Sequence, residues 1–353
     1  MDAILVVNAG STSLKLHAVG EDEQSVSVAS FTQVPPDVAA VAHRVVHGGP
    51  RFRDPILIDA NVRGQIFELV SLAPLHNAPA LEAIEAAVDA LPEVPHVAVF
   101  DTAFHRTIPD EAAVYAVPPL WRDGWGVRRY GFHGLSVEWC AERVPQLLGR
   151  TVERLVVCHL GGGSSVTAVV EGRSVDTTMG FSPLEGVPMT TRSGSVDPGA
   201  VLYLLRAHGL DPDSLEHALN FDSGLKGLAG GSGDMVEVER GAAAGDADAS
   251  LALDVIVHRL AAAVAAMAAA AGGIDALAFT AGIGEHSARV RARLCDRLGF
   301  LGVGLDETRN RDAKPDCDVS LDDSAVRVVV VQAREELVAA RAARALLASN
   351  GGA

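Results

Sequence analysis

Ile4-Leu5-Val6-Val7-Asn8-Ala9-Gly10-Ser11-Thr12-Ser13 runs into Leu14-Lys15-Leu16-His17-Ala18-Val19-Gly20. The pattern returns as Leu155-Val156-Val157-Cys158-His159-Leu160-Gly161-Gly162-Gly163-Ser164-Ser165 before Val166-Thr167-Ala168-Val169-Val170-Glu171-Gly172. Each copy reads as a buried apolar strand, a Gly/Ser loop, and a second strand closing in a turn. One inserted residue aligns Gly10 with Gly161. Asn-X-Gly-Ser-X-Ser is common turn chemistry, so the first loop alone is either a hairpin turn or a holder of something small. Two copies about 150 residues apart set a duplicated fold, with loops facing across a cleft, against a chance likeness of two hairpins.

Working outward, short apolar runs predict strands at Ile4–Val7, Val97–Phe100, Leu155–Cys158, Val166–Val170, Leu277–Thr280 and Val326–Val331. Helical patterns lie between them, at Pro79–Leu91, Val137–Leu148, Ala200–His208, Ser250–Ala271, Ala288–Leu298 and Glu335–Leu347. That alternation is α/β. The polar, small-residue stretches Gly20–Asp37 and Glu237–Asp248 read as surface connections. A chain of 353 residues suits one large domain or two.

A net charge of -16 excludes a nucleic-acid partner, because a phosphate backbone repels such a surface; a local basic pocket for a small anion remains compatible with it. Cys140, Cys158, Cys295 and Cys317 have no C-x-x-C spacing and read as reduced cytosolic thiols. The N-terminus enters a strand directly, so no signal peptide is expected. The apolar run Leu260–Ala271 is short for a bilayer span and reads as a buried helix closed by Gly272-Gly273. The expected location is cytoplasmic, with no membrane partner.

Gly161-Gly162-Gly163-Ser164-Ser165 presents backbone N–H groups and hydroxyls with no bulky side chain in the way, the make-up of an anion nest. Phe279-Thr280-Ala281-Gly282-Ile283-Gly284-Glu285-His286 follows a strand and enters a helix, whose N-terminus adds its dipole. Arg44 lies in an apolar, strand-like setting and Arg192 in a Thr/Ser/Gly loop. Two guanidiniums suit a carboxylate and a transferring phosphoryl group, since arginine grips both in two-pronged fashion; each can equally be an ordinary ion-pair arginine. Asp101, at a strand end, is either a magnesium ligand or nucleophile-positioning carboxylate or a cap. Among twelve histidines, His43 and His47 lack H-E-x-x-H, so zinc is not expected. His133, flanked by Gly131 and Gly134, can donate a hydrogen bond to developing charge.

Together these segments resemble the acetate kinase (acetokinase) family of short-chain carboxylate kinases. The matching stretches are NAGSTSLK, HRVVHGG, APLHN, FDTAFH, YGFHG, HLGGGSS, DTTMGFSPLEG, TRSG, DPG, DSGL, FTAGIGE and REEL, in order from residue 4 to residue 340. The resemblance implies two duplicated ribonuclease-H-like domains of the actin-like ATPase architecture, with the active site in an interdomain cleft. Domain I would be 1–103 plus 336–353, and domain II, the nucleotide-binding one, 104–335. The implied reaction is reversible transfer of the ATP γ-phosphoryl group to acetate or propionate, in line, giving acyl phosphate and ADP in a homodimer. By motif position, Asn8 and Glu335 would organise magnesium, and Ser11, Ser13 and Lys15 would contact phosphates. His159, Gly161, Gly162, Gly163, Asp234, Gly282, Ile283, Gly284 and His286 would hold the nucleotide. Arg44 would bind the carboxylate, Asp101 position it, and His133 and Arg192 stabilise the phosphoryl group in flight. Val46, Leu75, Phe132 and Pro183 would line the acyl pocket, where valine at 46 leaves little room beyond acetate or propionate.

Four departures stand out. Asn8 and Arg44 are 36 positions apart, a few dozen fewer than the family usually has. Gly162 replaces an asparagine between glycines. Asp234-Met235-Val236 lacks the arginine of D-x-R. His286 stands at an asparagine, and T-N-E-E has become Ala333-Arg334-Glu335-Glu336. They leave open a different donor, pyrophosphate included, a different acid, or a silent nucleotide-binding sensor.

Overall fold

The computed structural model describes residues 3–10 and 14–350; Ser11 and Ser13 lie outside the described residues. The chain separates into two compact units, Met1–Arg106 with Phe132–Trp139 and Arg334–Ala353, and Thr107–Gly131 with Cys140–Ala333.

The first unit is built on β1 (Ala3–Ala9), β2 (Leu14–Val19), β3 (Ser25–Val28), β4 (Val38–Val45), β5 (Ile56–Leu57) and β6 (His96–Phe100), in the order β3-β2-β1-β4-β6-β5. β1, β2 and β3 form an antiparallel meander, β1, β4 and β6 run parallel, and β5 is an antiparallel edge. The parallel strands are covered on both faces, which is why Ile4–Val7 and Val97–Phe100 read as unbroken apolar runs. Their alternation chooses the cover: Ile4 and Val6 pack with Leu337, Val338 and Ala340 of the helix Glu335–Asn350. Leu5 and Val7 pack with Ala83 and Ala87 of the helix Pro74–Ala90.

The second unit holds β7 (Arg154–Leu160), β8 (Ser164–Val170), β9 (Arg173–Thr177), β10 (Ala276–Thr280), β11 (Cys317–Asp318) and β12 (Arg327–Val330). Read from β9, the order is β9-β8-β7-β10-β12-β11, with an antiparallel meander, three parallel strands and an antiparallel edge. Strand for strand this is the first sheet again, so the repeated hairpins mark a duplicated α/β fold. The helix Ala247–Ala270 is long and apolar enough to cross a membrane by length and composition. Here its Leu253, Ile256, Val257, Leu260 and Val264 lie in one core with Val156, Cys158, Val166 and Ala168. The run from Leu260 is its C-terminal half, ending at Gly272 with φ 69°.

Two expected surface connections carry structure instead. Ser25-Val26-Ser27-Val28 lies within 20–37 and forms β3, because its period-two alternation lets it pair with β2. Residues 237–243 belong to the helix Met235–Ala243, which Asp234 caps and which buries Met235 and Val238.

Candidate active site

In the first unit, register brings the polar residues to the C-terminal ends of the parallel strands, where open α/β sheets bind ligands. Asn8 lies opposite Lys15 on β2 and opposite Arg44 on β4, and Asp101 directly follows β6. The Arg44 guanidinium donates through Nε to Asp101 Oδ1 at 3.0 Å and through Nη2 to Asp101 Oδ2. Its Nη1 donates to Asn8 Oδ1 at 3.1 Å. Asn8 Nδ2 in turn donates to Glu335 Oε2 at 3.4 Å, and that oxygen is 3.8 Å from Arg44 Nε. Asp101 is therefore the buried partner of Arg44. Of the five guanidinium N–H groups, the bonds to the described residues use three, leaving one on each terminal nitrogen for a further acceptor.

Burial pushes the Asp101 carboxyl up, to about 6, against the pull of Arg44 and with a further push from the Glu335 carboxylate. Burial also works against the charge on Arg44, yet Asp101 and Glu335 hold it above its ordinary range, so it stays a cation.

His133 sits at φ 60° between Gly131, at φ 77°, and Gly134. Its backbone N–H donates to the Asp101 carboxylate, and the Gly134 N–H donates to the Asp101 carbonyl at 2.9 Å. A Cβ at Gly134 would fall 2.1 Å from that carbonyl oxygen, so glycine is what lets the turn lie on Asp101. The half-buried residue His133 is thereby tied through its backbone to Asp101, the partner of Arg44. His105 was not anticipated. Its buried Nε2 donates to the Phe132 carbonyl at 2.8 Å, and burial lowers its pKa to about 4, keeping it neutral.

The first-unit acyl-pocket residues gather around His47. Its ring meets Phe132 edge-on at 5.4 Å between centroids, and it follows buried Val46 in the chain. Asn77 accepts from the His47 N–H at 3.1 Å and donates to its carbonyl at 3.0 Å. This clasps the half-buried Leu75 turn to the same strand exit. Lys15 is exposed.

In the second unit, His159 is the penultimate residue of β7, opposite Thr280 and Ser165. The Gly161 N–H donates to the Gly163 carbonyl at 2.9 Å, and a Cβ on Gly161 would touch the Ala281 Cβ at 3.5 Å. The glycine loop and the loop carrying Gly282, Ile283 and Gly284 are thus neighbours. The Gly162 carbonyl accepts from Thr190 Oγ1 at 3.0 Å, and Gly233 is pressed against the Thr190 carbonyl. This gathers Asp234 and the Arg192 loop to the same place. Asp234 itself is exposed, and its carboxylate accepts from Val236 N–H at 2.8 Å and Glu237 N–H at 3.2 Å. His286 is exposed at the end of the helix Ala281–His286. Arg291, also unanticipated and fully buried, donates to the Gly284 carbonyl at 2.9 Å and the Glu285 carbonyl at 2.8 Å. Arg192 Nη1 donates to the carbonyl of buried Pro183 at 3.3 Å, and burial lowers the arginine's pKa.

Two sheets of one topology, one ending in an arginine–carboxylate pair and the other in glycine loops, define a two-part kinase fold of the actin-like ATPase kind. The chain belongs to the acetokinase family, whose sequence model matches residues 23–341. The acetate kinase of Nostoc punctiforme is 50% identical over 302 residues, covering 85% of this chain and 74% of that relative. The acetate kinase of Gloeobacter violaceus is 50% identical over 311 residues, covering 87% and 76%. Among solved structures, a propionate kinase from Francisella tularensis matches with a TM-score of 0.90 at 35% identity, over 97% of this chain and 99% of that one. Porphyromonas gingivalis acetate kinase matches at 0.87 and 31%, over 98% and 100%.

Proposed function

We propose that the chain transfers the γ-phosphoryl group of ATP reversibly to acetate or propionate, giving the acyl phosphate and ADP by direct in-line displacement. The observation that carries this reading is the Arg44 fork, held by Asp101 and Asn8 with two N–H groups to spare. A short carboxylate takes those two donors, and one of its oxygens attacks phosphorus while the bond to the ADP oxygen breaks. The acceptor is already ionised, so Asp101 orients rather than deprotonates. His133 and Arg192 donate to the three equatorial phosphoryl oxygens, where charge accumulates, and the glycine loops take the ATP phosphates through backbone N–H groups. Asp234 and the Gly282–Gly284 and His286 segment take the nucleoside end.

One carboxylate and one amide oxygen, on Glu335 and Asn8, suit magnesium, which keeps most of its waters and leans on substrate phosphates. When bound it neutralises phosphate charge. Lys15, Ser11 and Ser13 are assigned to phosphate contact on motif position, and Val46, Leu75, Phe132 and Pro183 to the acyl tail. A cytoplasmic homodimer completes the reading, supported by thiols free of disulfides and by exposed Leu202 and Tyr203 on the helix Pro198–Ala207.

Hydroxamate trapping of acyl phosphate with ATP, GTP and pyrophosphate against acetate, propionate and butyrate tests it. Turnover is expected with ATP on acetate and propionate, from a protein that scatters light as a dimer. Turnover with pyrophosphate alone reassigns the donor; none with any pair refutes the reading.

The pH profile is a second check. Asp101 holds Arg44 as a carboxylate and titrates at about 6, so kcat/KM for acetate is expected to fall about tenfold per pH unit below that point. Acetic and propionic acids take up a proton roughly a unit or more below that point, near ordinary carboxyl groups, so the substrate does not account for the start of the limb. Nor does unfolding through this group. Its folded-state pKa lies above the unfolded value, so the fold binds the proton more tightly and gains stability as pH drops through that window. A flat profile from pH 7 to 5 removes Asp101 from this role.

A further inference from the structure

We propose that Tyr115, Arg129 and Glu185 form a positioning cluster that sets Arg192 and Pro183 for phosphoryl transfer, an inference that rests on the assignment of those two residues to the site. Pro183 sits in a loop, residues 178–186, that has no regular secondary structure after β9. Something other than a ladder must hold it.

Arg129 does much of this. Its Nη1 donates to three successive carbonyls, Thr177 at 2.7 Å, Thr178 at 3.1 Å and Met179 at 3.1 Å, and its Nη2 donates to Glu185 Oε1 at 3.0 Å. The start of the loop and its far end are thus joined by one rigid guanidinium, which a lysine cannot imitate. The other Glu185 oxygen accepts from Tyr115 Oη, and that hydroxyl accepts from the Phe181 N–H at 3.0 Å. The middle of the loop is held as well: the Gly180 carbonyl accepts from the Tyr130 N–H at 3.0 Å. Gly180 is required by the cluster itself. A Cβ there would fall 1.5 Å from Glu185 Oε2 and 2.0 Å from the Tyr115 hydroxyl, so those two groups occupy the space any other residue needs.

The loop hands its position to the reacting groups at two points. The Pro183 carbonyl accepts from Arg192 Nη1 at 3.3 Å. Gly186, one residue past Glu185, exchanges two bonds with Ser195, N–H to Oγ at 3.0 Å and carbonyl from N–H at 2.8 Å. The Arg192 guanidinium and the Ser195 end of its segment therefore take their register from the clamped loop. None of the three cluster residues needs to touch substrate for its loss to be felt, because a displacement of about 1 Å at a transition-state donor costs up to roughly 10²-fold.

The test is a double-mutant cycle. Tyr115→Phe keeps the ring and removes only the hydroxyl. It is expected to lower kcat with acetate about tenfold and to change the propionate-to-acetate ratio of kcat/KM, since Pro183 shifts. In an Arg192→Lys background the same substitution should change kcat by less than about twofold, because its effect runs through Arg192. Glu185→Gln, which keeps the shape and removes the charge, repeats the cycle if Tyr115→Phe folds poorly. Equal losses in both backgrounds, or wild-type kcat and selectivity for both variants, overturn the proposal. Arg192→Lys at full turnover overturns the site assignment beneath it. That result is distinct from a crippled Arg192→Lys beside a wild-type Tyr115→Phe, which removes the cluster alone.

Discussion

Arg44→Ala is expected to remove roughly 10²–10³ of kcat/KM for acetate and, at the same time, about 3–5 kcal/mol of folding stability. The two losses have one origin. The Asp101 side chain is 1% exposed and the Arg44 side chain 14%, so truncating the arginine leaves a carboxylate in the interior without the fork that compensates it. Asp101 then either stays charged at a high desolvation cost or takes up a proton and stops orienting anything. Asn8 Oδ1 loses its donor in the same step. Arg44→Lys separates the losses: the ammonium restores charge near Asp101 and part of the stability, but a single point cannot bond Asp101, Asn8 and an incoming carboxylate together. Urea midpoints and hydroxamate rates of the two variants check this. A wild-type midpoint and rate for Arg44→Ala removes the residue from the site.

The duplicated architecture was legible because each half announces itself locally, as an apolar run, a glycine loop and a second strand, and because Ile4–Val7 and Leu155–Cys158 are wholly apolar and buried. What the sequence hid depends on partners far along the chain. β3 pairs along an edge with only two apolar residues of four, and β5 and β11 are two residues each, too short for any period. The helix Met235–Ala243 was masked by its acidic and glycine-rich surroundings, although Asp234 before Met235 and Val238 is a capping signal that could have exposed it.

The site divides the same way. Asn8, Arg44, Asp101 and His133 sit in short motifs, and register plus the glycine turn bring them together. Asp101 was legible as a site residue but not as the mate of Arg44, 57 positions away. The Tyr115–Glu185 and Arg129–Glu185 contacts span 70 and 56 positions, and no periodicity links residues so spaced. Arg291 could have been suspected: an arginine among Val290, Leu294 and Cys295 on the buried side of a helix needs buried acceptors, which here are the carbonyls closing the Gly282–Gly284 turn and Asn310.

Arg192→Ala should behave unlike Arg44→Ala, and the contrast is the sharper test of the assigned roles. Its kcat is expected to fall by roughly 10²–10³, or about 2.7–4 kcal/mol of transition-state stabilisation, with kcat/KM falling in parallel and the acetate KM little changed. Stability should move by less than about 1 kcal/mol. Arg44 is a cation made comfortable by buried carboxylates, whereas burial works against the charge on Arg192. Arg192 donates to the Pro183 carbonyl and lies 3.9 Å from Met189 Sδ, and truncation removes the cost of keeping a desolvated charge. A cation held in that state binds weakly to anything neutral and strongly to a site where negative charge grows, which is what a donor to the phosphoryl group in flight requires. Thermal melting alongside steady-state rates with ATP and acetate resolves the two cases. A fall in stability as large as that of Arg44→Ala makes Arg192 structural, and unchanged turnover takes it out of the reaction.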